Sequence, residues 1–287
     1  MREISADGAG IGLRSEHIVT LLQQPCRQDI DFLELAPDNW MNLGGAKREQ
    51  LTDIRKKYPL LAHGLSLSIG DTCPLNEEYM HDIRRFLDEY HIDIYSDHLC
   101  FSRDAQGYFH DLLPIPGFRA VLPYLAARIE QVQNIVGRQL VLENISSYHR
   151  YAGEMPEADF WGELLHLSGC GMLLDINNVY VNACNHGFDA FDYIRSIPSS
   201  SVVYYHIAGH LEYGEFRLDT HGMPVIEEVL ALAKQTVEFH GARPLLLERD
   251  NNVPPLDALC AELTQIREYL SQGSTHGDKY CSTCIVS

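Results

Sequence analysis

The sequence predicts a single-domain α/β fold, a closed (β/α)8 or TIM barrel. Three observations predict it. Short apolar runs alternate with helix-patterned stretches about eight times along the chain, the order expected of a parallel α/β barrel. The length of 287 residues, 45% of them hydrophobic, suits one large core, since single barrels commonly run to about 250 residues. Several apolar runs end in His, Asp or Glu, and such barrels carry functional residues at the carboxyl ends of their strands.

The elements follow in order. Ala9-Gly10-Ile11-Gly12-Leu13 reads as the first strand, with a helix from about Glu16 to Gln24. Asp31-Phe32-Leu33-Glu34-Leu35 is the second, followed by a helix around Gly45 to Lys57. Leu60 to Ser66 is the third. Its helix, about Asn76 to Tyr90, places Met80, Ile83, Phe86 and Leu87 at helical spacing. Ile92 to Ser96 is the fourth strand, then a longer loop after His98 and a helix from about Phe118 to Val136. Gln139 to Asn144 is the fifth, with a helix near Ala158 to Leu167. Gly171 to Ile176 is the sixth, with a helix near Ala190 to Arg195. Val202 to Ala208 is the seventh, followed by a long loop to Met223. Pro224 then opens a helix, where its missing N–H costs little. Pro244 to Glu248 is the eighth, with a helix from about Pro255 to Leu270. The structural alternative is a doubly wound open sheet, but Gly8-Ala9-Gly10-Ile11-Gly12 has the wrong spacing for a dinucleotide fingerprint. With no repeat, low-complexity tract or Pro/Gly-rich linker, residues 1–270 form one domain.

The formal net charge is −18. Such a field repels phosphate backbones and argues against a nucleic-acid partner. No apolar stretch reaches the length of a membrane span. Met1 to Gly12 lacks the basic start and apolar core of a secretory signal, so a cytoplasmic location is expected. The 8 Cys are mostly scattered, which suits reduced thiols.

The strand ends carry the chemistry. His63, Glu143, Asp175, His206 and Glu248 each follow a short apolar run. Ser96-Asp97-His98 ends another strand, and Asp219-Thr220-His221 lies in the loop after the seventh. One His after an apolar run is more often a hydrogen-bonded core residue than a ligand, but converging barrel strands bring several together. A buried carboxylate must protonate, pair or bind a cation. Arg249, next to Glu248, and Arg150, after Glu143, offer ion pairs instead; neutral imidazoles cannot neutralise the carboxylates, so cations are preferred. By strand alternation Asp175 and Asn177 share a face, and Asn177 either adds an oxygen ligand or orients Asp175. Mixed N/O ligation without thiolate suits iron, manganese or zinc. About eight such ligands are too many for one ion and enough for two or three.

These residues resemble those of the multinuclear non-heme iron-dependent oxidative enzymes, the methanobactin-biosynthesis-oxidase-like and bufferin-maturation-like barrel proteins. The resemblance runs from Gly10-Ile11-Gly12-Leu13-Arg14 to Leu247-Glu248-Arg249-Asp250. It includes Pro37-Asp38-Asn39-Trp40-Met41, His63-Gly64-Leu65-Ser66, Ser96-Asp97-His98-Leu99 and Leu142-Glu143-Asn144. Further on come Leu174-Asp175-Ile176-Asn177-Asn178, His206-Ile207-Ala208-Gly209-His210 and Asp219-Thr220-His221-Gly222. Asp38 and Ile145 depart from the Glu and Pro common in the family. The resemblance implies a barrel holding two or three irons of mixed valence. Its implied ligands are His63, His98, Glu143, Asp175, His206, Asp219, His221 and Glu248, with Asn177 as a weaker one. It also implies dioxygen as co-substrate, cysteines of a ribosomally made precursor peptide as the target, and a separate partner protein that presents the peptide. Asp97 and His210 sit beside implied ligands and are candidates for orienting them or carrying protons.

Tyr148, Tyr151, Trp161, Tyr180 and Tyr213 are candidates for lining a peptide groove or for packing over the rim. Residues 271–287 read as a disordered polar tail carrying Cys281 and Cys284. Two other functions fit the residues: a metal-dependent hydrolase or sugar isomerase, and a non-catalytic metal- or peptide-binding protein.

Overall fold

In the computed structural model, which describes residues 3–104 and 106–272, eight parallel strands close into a barrel. The barrel strands are β1 (Ala9–Gly12), β2 (Phe32–Leu35), β3 (Leu60–His63), β4 (Tyr95–His98), β7 (Leu140–Glu143), β8 (Gly171–Asp175), β9 (Val202–Ile207) and β12 (Leu245–Leu247). Each pairs with its neighbour in this order, and β12 returns to β1. Helices α1 (Ser15–Gln23), α2 (Gly45–Lys57), α3 (Glu77–Tyr90), α4 (Leu122–Val136), α5 (Glu157–Ser168), α6 (Ile176–His186), α7 (Ala190–Ser196), α8 (Glu227–His240) and α9 (Leu256–Ser271) fill the crossovers. None of the described helices is long and apolar enough to cross a membrane.

Strand alternation splits the core in two. Outward residues such as Leu33, Ala62, Leu142, Leu174 and Leu247 join the helices in the main hydrophobic cluster. Inward residues Phe32, Leu61, Val141, Leu173, Tyr204 and Leu246 form a second, enclosed cluster. Two positions further along the same strands come Glu34, His63, Glu143, Asp175, His206 and Glu248. A period of two keeps residues i and i+2 on one face. The apolar layer is therefore the floor, and the acid–histidine layer stands directly above it at the carboxyl rim.

Three expectations need correction. The stretch after His98 is a hairpin, β5 (Cys100–Asp104) with β6 (Gly107–Pro114). The stretch after the seventh strand is another, β10 (Gly209–Tyr213) with β11 (Phe216–Met223). Asp219 and His221 therefore sit on a strand. Third, Asn177 does not continue the sixth strand, because α6 begins at Ile176. Asn-rich sequence is a poor helix former, which hides α6; the Asp175 carboxylate starts it by accepting from Asn178 N–H at 2.6 Å. The tail containing Cys281 and Cys284 lies outside the described residues.

Candidate metal centre

Among the described residues, three groups of ligand-type atoms lie close enough to hold a cation: His63, His98 and Glu143; Glu143, Asp175, His206 and Glu248; and His221, Glu248 and Asp250. Glu143 belongs to the first two and Glu248 to the last two. The groups therefore form a chain of three positions joined by carboxylates.

Strand register explains the assembly. His98 stands beside Glu143 across β4 and β7, and Asp175 beside His206 across β8 and β9. His63 Nε2 lies 3.1 Å from both His98 Nε2 and Glu143 Oε2. His98 Nε2 is 3.4 Å from Glu143 Oε2. His206 Nδ1 is 2.9 Å from Glu248 Oε2 and 3.7 Å from Glu143 Oε1. His221 Nδ1 is 3.2 Å from Glu248 Oε2 and 3.5 Å from Asp250 Oδ2, while its Nε2 is 2.6 Å from Asp219 Oδ1. His221 adopts φ 44°, in the left-handed region. A non-glycine residue there carries strain, which clusters at functional sites.

Among the described arginines, only Arg14 pairs with a carboxylate of these groups, Asp250 at the rim. Arg249 bonds Glu262, and Arg150 stacks over Phe188. Arg14 bonds Asp250 and reaches Glu248 Oε1 only at 4.0 Å. Glu143 Oε2, Asp175 Oδ2, His206 Nδ1, His221 Nε2 and Glu248 Oε2 are all buried, and their close contacts with one another and with His63 and Asp219 lack hydrogen-bond geometry. Buried lone pairs left unmatched at this density are what a cation layer would satisfy. An N/O donor set fits iron, manganese or zinc.

The electrostatics agree. Burial disfavours charge on His63, but Glu143 outweighs it and raises the imidazole to about 9. Burial likewise opposes charge on His206 and His221, which Glu34 and Glu248 respectively raise well above the usual range. Burial alone would raise Glu143 and Glu248; their histidine neighbours hold both below normal. Burial, reinforced by the Glu143 and Asp219 charges, raises Asp175 well above normal. Without cations the cluster is balanced by protons on its histidines, and those protons must leave when a cation binds.

The remaining sequence candidates lie behind this layer. Asp97 accepts from His98 N–H at 2.8 Å and from Leu67 N–H at 3.3 Å. Asn177 donates to Asp219 Oδ1 at 3.0 Å, and its own oxygen meets His210 Nδ1 at 2.8 Å. Asp38, the departure from the family pattern, accepts from Tyr79 O–H and Leu65 N–H at 3.0 Å each. Sequence reasoning missed Glu34 and Asp250. A carboxylate two positions after Phe32 in an apolar strand was the available signal for Glu34. Asp250 lies past the last strand and gave none.

Above the layer opens a cavity of about 570 Å³, lined by His98, Glu143, His221, Glu248, Tyr148 and Leu112 among others. A second cavity of about 410 Å³ adjoins it and is lined by Tyr151 and Trp161. Pro114, Ile145, Ser147 and His149 line both. Tyr180 lies against His210, and Tyr213 is exposed at the β10–β11 tip.

The profile of one protein family, described as "RiPP precursor modification enzyme MbnB/TglH/ChrH", matches residues 8–271. A UPF0276 protein of Acinetobacter baylyi is 43% identical over 273 residues, covering 95% of this chain and 94% of its own. One of Pseudomonas aeruginosa is 43% identical over 272 residues, covering 93% and 94%. Among solved structures, D-psicose 3-epimerase of Clostridium cellulolyticum aligns with a TM-score of 0.62 at 10% identity, covering 92% of this chain and 98% of that one. A xylose isomerase-like TIM barrel of Mycobacterium smegmatis, in complex with magnesium, aligns with a TM-score of 0.62 at 13% identity, covering 93% and 98%. At such identities these two likenesses bear on the fold alone.

Proposed function

We propose that this chain, which belongs to the RiPP precursor modification enzyme family MbnB/TglH/ChrH, oxidatively modifies cysteine in a ribosomally made precursor peptide, using two or three irons and dioxygen. The observation that carries this reading is the carboxylate-linked chain of three cation positions under an open cavity. His63, His98, Glu143, Asp175, His206, Asp219, His221 and Glu248 would hold the ions, with Asp250 at the rim. Iron, when bound there, supplies one-electron redox chemistry and activates dioxygen toward the cysteine.

The chain's own residues do the rest. The cavity of about 570 Å³ admits a cysteine and its neighbours, and Leu112, Leu113, Pro114 and Tyr148 form an apolar wall that excludes water beside the reacting centre. Asp250, exposed at the rim and paired with Arg14, would complete the cation position at His221. Asp97 and His210 do not line the cavity and act through neighbours: Asp97 fixes the His98 backbone, and His210 holds Asn177 against Asp219. A separate partner protein would present the peptide.

The test is purification without oxygen, metal analysis, and oxygen uptake with the Cys-containing precursor peptide. Iron with peptide-dependent uptake is expected. Zinc or manganese without uptake would favour hydrolysis or sugar isomerisation, and peptide binding without turnover would favour a binding protein.

A further inference from the structure

Within and just beneath the acid–histidine layer, five buried side chains from four strands form an unbroken run of hydrogen bonds to which the chemistry above assigns no role. His63 Nδ1 meets Ser96 Oγ at 2.8 Å, and Ser96 Oγ meets the Tyr204 hydroxyl at 2.6 Å. Tyr204 O–H donates to Glu34 Oε2 at 2.8 Å, and His206 Nε2 meets the same oxygen at 3.2 Å. None of the five is more than 6% exposed, so water does not compete for these contacts.

The direction of every bond follows from one end. A carboxylate accepts and does not donate. Glu34 therefore accepts from Tyr204 O–H and from His206 Nε2–H. With its only proton committed, the Tyr204 oxygen must accept from Ser96 O–H, in preference to the Ala62 carbonyl at 3.2 Å; otherwise two acceptors would face each other at 2.6 Å. Ser96, its proton spent, must accept from His63 Nδ1–H. Both imidazoles are thereby left with one free nitrogen on the cation side. The free nitrogens differ: Nε2 on His63, facing His98 and Glu143, and Nδ1 on His206, facing Glu143 and Glu248.

We propose that Glu34, acting through Tyr204 and Ser96, is a positioning residue that selects opposite tautomers at His63 and His206 and so aims both at the cation layer. This rests on the metal reading above. Partners of this kind fix ring orientation and typically contribute about 10- to 100-fold in metal affinity.

The test uses zinc-loaded protein labelled with ¹⁵N-histidine, because zinc leaves the NMR spectrum readable. In the wild type, His63 should carry its proton on Nδ1 and His206 on Nε2, which needs no variant to fold. Tyr204→Phe cuts the run but spares the contact between Glu34 and His206. It should alter the His63 signals, leave those of His206 in place, and weaken one zinc equivalent about tenfold. Glu34→Gln should disturb both rings. The same tautomer at both histidines, or a Tyr204→Phe protein with an unchanged His63, would overturn the inference while the metal reading stands. A wild-type chain that takes up neither zinc nor iron(II) would overturn the metal reading and this inference with it.

Discussion

Glu143 faces His63 and His98 with one oxygen and His206 with the other. Glu143→Gln keeps the shape and removes the charge shared by two cation positions. Metal analysis should show the loss of more than one equivalent, with peptide modification reduced by roughly a hundredfold or more, the scale of losing a group that organises reactive charge. Loss of a single equivalent would argue against sharing. His63 gives a pH prediction. Burial opposes its charge, yet Glu143 raises it from 6.5 to about 9. A raised folded pKa adds stability that is fully present below the unfolded value and is lost as pH climbs through the folded one. Metal-free protein should therefore melt progressively lower between pH 6.5 and 9. Metal-loaded protein should lose less across that window, because a cation replaces the proton; equal slopes would contradict the assignment. His63, Glu143, Asp175, His206 and Glu248 were legible in the sequence because each follows a short apolar run. Glu34 was passed over because it sits inside the apolar run Phe32–Leu35 and not at its end.

At the scale of elements, α6 shows how one side chain serves two ends. Asp175 Oδ1 caps the helix, while Oδ2 is buried without a partner on the cation side. Asparagine caps a helix about as well as aspartate, and burial already raises Asp175 well above the normal carboxylate range. Asp175→Asn should thus leave the metal-free melting temperature equal or higher while weakening metal binding; a large loss of metal-free stability would show that the charge serves the helix instead. The β10–β11 hairpin makes a second case. A methyl on Gly209 would collide with the backbone oxygens of Met223 and Pro224. Gly209→Ala should displace β11 and with it Asp219 and His221, costing about 1–3 kcal/mol and the cation position at His221. Unchanged metal stoichiometry in a folded variant would refute this. Neither hairpin nor α6 was legible. The hairpins contribute no residue to the main core, so they lack the apolar periodicity that marks the barrel strands, while α6 sends Ile176 and Val179 into that core but is masked by its asparagines.

Across the whole molecule, closure of the barrel was legible because the alternation of apolar runs and helices is dictated by the core. Closure also sets the cost of the site. It holds Glu34, Glu143, Asp175 and Glu248 above an apolar floor of Phe32, Leu61, Val141, Leu173 and Leu246, in a chain of net charge −18. Buried like charges destabilise the folded state, and the described arginines are engaged elsewhere or distant. Bound cations would then add to the fold's stability, since a ligand bound only by the folded chain stabilises it by about 4 kcal/mol at a thousandfold excess over its Kd. For a domain of this size each kcal/mol moves the melting temperature by about 2–4 °C. Chelation in the absence of oxygen should therefore lower the melting temperature by roughly 10 °C, and restoring iron(II) should reverse it. Glu143→Gln should respond less to chelation than wild type, because less metal remains to remove. A melting temperature indifferent to chelation in the wild type would mean that the acid–histidine layer is balanced by protons alone and that the barrel holds no resident metal.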